Sequence, residues 1–242
     1  MKKKSLSIKI CVCLTAALFV LGLMSVASYF SSSLFVGANQ NSTGSMNSNP
    51  NYAYLVSIAK SQSKLEAEAL AEDKNSCGYI WKEGEYHHVI YSACEQENDA
   101  TLVKTMLEKN GQTAEIIKLH FPQITIDAQL STSQHGIIIE AAASFISTFK
   151  VVSDISVGLE TNVYSAASAG EKLGKLKEKC EKLQSNYRDS FNDFENKKII
   201  ALGEYVADLL ESVSLTENTI ESTKYHAIEI LDIYKNMTAE LK

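Results

Sequence analysis

The chain has 242 residues, 45% of them hydrophobic and 21% charged, with a formal net charge of −6. That length suits one ordinary domain or two small ones, and the hydrophobic share is that of a folded chain rather than a disordered one. The acidic balance gives no support to a sequence-independent electrostatic attraction to nucleic acid.

Lys2, Lys3, Lys4 and Lys9 precede an apolar run from Ile10 to Met24, which continues to Val36 past Ser25, Ser28 and Ser31 to Ser33. A bilayer core takes ~20 apolar residues, and Ile8 to Tyr29 meets that length. Lysines stand before the run and none occurs after it until Lys60. This asymmetry predicts a single-pass cell-membrane anchor with a cytoplasmic N-terminus and an extracytoplasmic bulk. The alternative is a cleaved signal peptide, with Met1 to Lys9 as its basic region and Ser25-Val26-Ala27 as its cleavage site. Apolar character resumes at Tyr29, Phe30 and Leu34-Phe35-Val36, which favours the uncleaved anchor. Either reading exports the remainder of the chain. Cys11 and Cys13 lie in the apolar run and read as packing residues.

Residues 38–51 read ANQNSTGSMNSNPN, a polar, nearly uncharged stretch that reads as a tether. The expected organisation is therefore 1–36 cytoplasmic tip and anchor, 37–51 linker, 52–120 sheet domain, 121–136 linker and 137–242 helical domain.

Two similar halves fill Tyr52 to Leu119. Tyr54 to Ala59 fits a strand, and Ser63 to Asp73 a helix with Leu65, Ala67, Ala69 and Leu70 along it. Gly78 to Trp81 fits a second strand, and Glu83-Gly84 a turn. Tyr86 to Tyr91 opens the second half as a strand. Asn98 to Lys109 comes next as a helix, with Ala100, Val103, Met106 and Leu107 on one side, and Asn110-Gly111 stops it. Ala114 to Leu119 is the last strand. The order β-α-β-β-α-β predicts a ferredoxin-like or RNP-like four-stranded antiparallel sheet with both helices on one face and the other face open. Alternation along the strands turns Val56, Ile58, Val89 and Tyr91 towards the helices and Leu55, Ser57, His88 and Ile90 to the open face. Tyr79 and Trp81 share a face, with Ile80 on the other.

Beyond Pro122 the pattern turns helical. Ile137 to Ile155 predicts a first helix ending near Gly158, and Ala166 to Phe191 a second with a Leu173, Leu176, Cys180, Leu183, Tyr187 seam. Asn192 and Glu195 stand at capping-box spacing before a third helix striped by Ile199, Leu202, Val206, Leu209 and Val213. Ser214 and Glu217 repeat the spacing before a fourth, striped by Ile220, Ala227, Leu231, Tyr234 and Met237. Short connections predict a small antiparallel bundle. The whole is α+β: a membrane helix, a small sheet domain and a helical bundle.

The five histidines, His87, His88, His120, His135 and His226, fall in no HExxH pattern, and the chain has no CxxC, GxSxG or Gly-rich phosphate loop. His87 and His88 are adjacent on a strand and point to opposite faces, so they do not converge on one metal. No catalytic residue, cofactor or metal ligand is assigned, and the chain reads as a non-enzyme. Cys77 and Cys94 bracket the central hairpin, and a disulfide between them would require Cα atoms within ~7 Å.

Tyr54-Leu55-Val56-Ser57-Ile58-Ala59 with Ala67-Glu68-Ala69-Leu70, then His87 to Cys94 with Ala100, Leu107 and Gly111, resemble the twofold YxVxxGxF…A…L…G repeat of SPOR domains over Tyr52 to His120. Ala59 and Ser92 replace the family's glycines, Ser61 and Cys94 lie near its phenylalanines, and His88 stands where arginine is common. The resemblance implies binding of peptidoglycan glycan strands in cell division or sporulation, on a domain joined by a tether to one N-terminal membrane helix. Sugars stack and hydrogen-bond along an open sheet. The implied glycan site is Leu55, Ser57, Tyr79, Trp81, His88 and Ile90, with Trp81, the sole tryptophan, as the stacking residue. The alternative function is an envelope or division-protein interaction scaffold using the helical bundle. An enzyme with an unrecognised site is a third reading.

Overall fold

A computed structural model describes residues 51–241 apart from 74, 75, 122, 123, 125 and 127. The anchor, the signal-peptide alternative and nearly all of the tether lie outside the described residues.

Among the described residues four strands and six helices succeed one another as β1 (Asn51–Ser61), α1 (Lys64–Asp73), β2 (Ile80–Glu83), β3 (Tyr86–Cys94), α2 (Glu97–Lys109), β4 (Glu115–Phe121), α3 (Thr132–Glu160), α4 (Ala166–Phe191), α5 (Lys197–Leu215) and α6 (Ile220–Glu240). The fold is α+β. The sheet runs β2-β3-β1-β4 with every pairing antiparallel, the order that two split βαβ units produce. Gly84, at φ +60°, closes the β2–β3 turn, and Gly111, at φ +79°, comes just after α2; both conformations are open to glycine at little steric cost.

Two irregularities interrupt the β1–β3 ladder. Val56 faces Ser92 while Ser57 faces Ile90, which leaves Tyr91 as an extra residue. Ala59 then faces Val89, which leaves Ile58 extra on the other strand. One bulge on each strand compensates the other, so the same residues keep the same face at both ends. Tyr54, Val56, Ile58, Val89 and Cys94 pack with Ala67, Ala71, Ala100 and Leu107 of α1 and α2, with Tyr91 and Ile80 beside them. The helix side of the sheet is thus the one alternation indicates. On α1 the buried positions are Ala67 and Ala71, while Leu65 is 76% exposed; on α2 Met106 faces solvent.

The second face is not open. Ala53, Leu55, Trp81, Ile90, Ala93, Leu119 and Phe121 share one core with Phe145, Phe149, Leu202, Ile228, Leu231, Tyr234 and Met237 of the helical segment. Ile124, Ile126, Ala128 and Leu130, between sheet and bundle, pack against the same core, so this stretch is more than a linker. The described residues therefore form three layers: α1 and α2, the sheet, then the bundle. The bundle closes as a ring, α3 against α4 and α6, and α5 against α4 and α6.

The reason lies in α3. It is the one described helix long and apolar enough to cross a membrane, yet it is mostly buried inside the protein. Ile138, Ala141, Ala142, Phe145, Ile146, Phe149, Val152 and Ile155 bury most of its circumference. A helix apolar nearly all round needs neighbours on several sides, and α4, α6 and the sheet supply them. Ser131 and Gln134 cap its start reciprocally, so it begins at Thr132, five residues before Ile137.

The last two helices begin later than the capping-box spacing suggests. Asn196, not Asn192, accepts from the Lys198 and Ile199 amides to start α5. Thr219, not Ser214, accepts from the Ser222 amide to start α6. Each is a short polar side chain directly before the helix, where the unpaired amides need an acceptor.

Candidate functional site

Of the six residues assigned to a glycan platform, Leu55, Tyr79, Trp81 and Ile90 pack in or against the core shared with the bundle, and Ser57 and His88 are held beside Glu115 on the sheet. Leu55, Trp81 and Ile90 are each 0% exposed, and Ser57 and His88 are buried. Tyr79 is half-buried; its hydroxyl donates to Asp232 Oδ2 at 3.0 Å, and its ring meets Tyr225 at 5.1 Å. Leu55, Tyr79, Trp81 and Ile90 do come together, but the platform is a structural interface. Sugar cannot stack on a ring that the protein's own helix already covers.

Trp81 shows this most fully. Its indole Nε1 donates to Glu83 Oε2 at 3.2 Å. The Lys235 ammonium of α6 sits 4.3 Å from its ring centroid. That ammonium also donates to the Lys82 carbonyl at 2.7 Å and to Glu83 Oε2 at 3.2 Å. Burial pushes the Glu83 carboxyl up, but the Trp81 indole and Lys235 outweigh it and hold it below its ordinary value. Burial and Asp232 push the Tyr79 phenol well up. Around the apolar contact runs a polar seam: Lys150 to Glu95 at 2.6 Å, Ser153 Oγ to the Ala93 carbonyl at 3.1 Å, and Lys224 to Glu160 at 2.9 Å with its ammonium 4.1 Å from the Tyr91 ring. A buried lysine satisfied by a carboxylate and an aromatic face holds its position firmly.

Cys77 and Cys94 lie in different layers. Cys77 packs beside the bundle core, its thiol donating to the Ile90 carbonyl at 3.4 Å, whereas Cys94 belongs to the α1/α2 core. The sheet stands between them, and both are free thiols. The expected hairpin disulfide does not form, and each cysteine packs in its own layer. Burial raises Cys77, and raises Cys94 to about 11, which removes thiolate reactivity at neutral pH.

Two serine–histidine–glutamate groupings invite a catalytic reading, and sequence spacing reveals neither. Ser57 Oγ lies 3.4 Å from His88 Nδ1, and Glu115 Oε1 lies 3.0 Å from the same nitrogen. Ser212 Oγ lies 3.3 Å from His226 Nδ1, and Glu229 Oε2 lies 2.7 Å from that same nitrogen. A proton relay needs the acid on one ring nitrogen and the nucleophile on the other. Here both partners compete for one nitrogen, and both serines are buried. Neither grouping has the geometry of a relay. Among the described residues no three His, Cys, Asp or Glu side chains gather as metal ligands would.

The His88 cluster makes stability depend on pH. Burial disfavours the imidazolium and lowers its pKa, outweighing the opposing pull of Glu115. The unfolded chain, with histidine at about 6.5, takes up the proton first. The stabilisation is complete above that value and is lost as pH falls through it towards the folded value. Chemical denaturation between neutral pH and pH 5 should show stability falling with acidification, and a shallower fall in His88→Gln. Equal slopes in the two proteins would remove His88 from this role.

No protein family, no curated protein and no solved structure matches this chain.

Proposed function

We propose that this chain is a non-catalytic, membrane-tethered envelope protein whose exported mass is a rigid interaction scaffold. The observation that carries the reading is the shared core of sheet and bundle, with Trp81 at 0% exposure between them. A sheet covered on both faces offers no extended groove for a polymer, whereas long helices with polar outer faces suit contact with another protein. The tether and export rest on the lysine-flanked apolar run, Ile10 to Val36. The likeness to SPOR domains rests on residue pattern, and the β-α-β-β-α-β order adds little to it, since many unrelated functions share one fold.

Photo-crosslinkers placed singly at the exposed positions Leu65, Leu102, Ile200 and Leu215 of the full-length chain test this in cell envelopes. We expect protein adducts from one side of the molecule and none from the other. In parallel, the purified full-length chain should not co-sediment with sacculi, before or after an amidase strips the stem peptides. Enrichment on amidase-treated sacculi, or an absence of protein adducts at all four positions, overturns the scaffold reading.

A further inference from the structure

One corner of the sheet is built differently from the rest of the surface. Tyr52 and Tyr54 of β1 lie opposite His120 and Lys118 of β4, respectively. Tyr54 faces the α1/α2 side, and residues two apart on a strand share a face. The Tyr52 and His120 rings stand 5.2 Å apart. The Lys118 ammonium lies 4.4 Å from the Tyr52 centroid and 5.7 Å from that of Tyr54. Tyr52 is 37% exposed, and Lys118 and His120 are exposed as well.

Among the described residues the charge here has no acidic partner. At the other end of the sheet Lys60, also near a tyrosine ring, is neutralised by Glu115 at 3.0 Å. Lys118 meets aromatic rings instead, and among the described residues no carboxylate lies within ion-pair distance of it.

We propose that the Tyr52–Lys118–His120 corner is a membrane-surface contact that takes the phosphate of an anionic phospholipid headgroup. This rests on the membrane-tethered reading of the chain. An exposed cation beside amphipathic aromatic rings is the composition found at membrane–water interfaces. Covalent continuity adds the second argument. Tyr52 is sixteen residues beyond Val36, where the apolar run ends. Sixteen residues, even fully extended, span at most about 55 Å. The corner is thereby held near the bilayer at high effective concentration, so one lysine with two rings suffices where a free protein would need a larger basic patch. The contact fixes which side of the scaffold faces outwards.

The test uses the full-length chain in nanodiscs of zwitterionic lipid alone or with added anionic phospholipid. Acetylation of Lys118 should slow about threefold or more in the anionic discs, recover at high salt, and leave the exposed Lys109 unchanged. Hydroxyl-radical labelling of Tyr52 should fall in the same discs, and Lys118→Gln should abolish that protection. Equal Lys118 rates in the two lipids overturn the contact. Equal protection by inorganic phosphate in zwitterionic discs overturns the lipid assignment. A chain that fails to enter discs at all refutes the tether instead, so the two failures are distinguishable.

Discussion

Trp81→Ala lowers the stability of the whole folded region by about 3–5 kcal/mol, and its effect on any ligand is a consequence of unfolding. The indole is fully buried between β2 and α6, with Lys235 over one face and Glu83 on its nitrogen. Its removal leaves a cavity in the shared core and strips a partner from the Lys235–Glu83 pair. In a folded region of this size, each kcal/mol moves Tm by about 2–4 °C, so the expected fall is roughly 6–20 °C. Thermal unfolding monitored by circular dichroism checks it. A Trp81→Ala protein with unchanged Tm would mean that the ring contacts solvent rather than α6. Trp81→Phe, which refills most of the volume, should recover much of the loss.

Removing the helical segment, residues 132–242, leaves a sheet fragment that does not fold as a monomer. It would expose Leu55, Trp81, Ile90, Leu119 and Phe121 at once, all of them buried in the intact chain. Burial of a large apolar side chain is worth about 1.5–3 kcal/mol. Losing five such contributions cancels a total stability of about 5–15 kcal/mol. Size-exclusion chromatography and amide dispersion in a proton–nitrogen spectrum are the measurements, with aggregation or a collapsed spectrum expected. A monomeric, well-dispersed fragment would show that the sheet stands alone. For a self-sufficient sugar-binding domain this deletion would be harmless, so it separates the two architectures sharply.

Element order, strand faces and helical stripes are legible in the sequence because each rests on local periodicity. Val56, Ile58 and Val89 face α1 and α2 as their alternation requires, and Leu173, Leu176, Cys180, Leu183 and Tyr187 form the buried seam of α4. The covered second face is not legible from alternation, although two signals carry it. Ala53 to Val56 is a near-continuous apolar run, the pattern of a strand buried on both sides rather than one. Ile137 to Val152 contains two charged residues, Glu140 and Lys150, too few for a helix with one broad solvent face. Each signal is local, but the contact between them spans roughly ninety residues of chain, and periodicity does not encode partners at that range. The cap positions differ from their expected places for a related reason. Asn192 and Asn196 both carry an amide that can cap a helix, and the packing of Phe191 and Phe194 at that turn accompanies the choice of Asn196.

Trp81 also provides the decisive measurement, because the chain contains a single tryptophan and its fluorescence reports that one position. In the intact protein, emission should be shifted to the blue and resist quenching by iodide and acrylamide, and both properties should collapse together with the unfolding of the helical bundle. Red-shifted, readily quenched emission from a fully folded chain would show the sheet face open to solvent and would contradict a bundle seated on it.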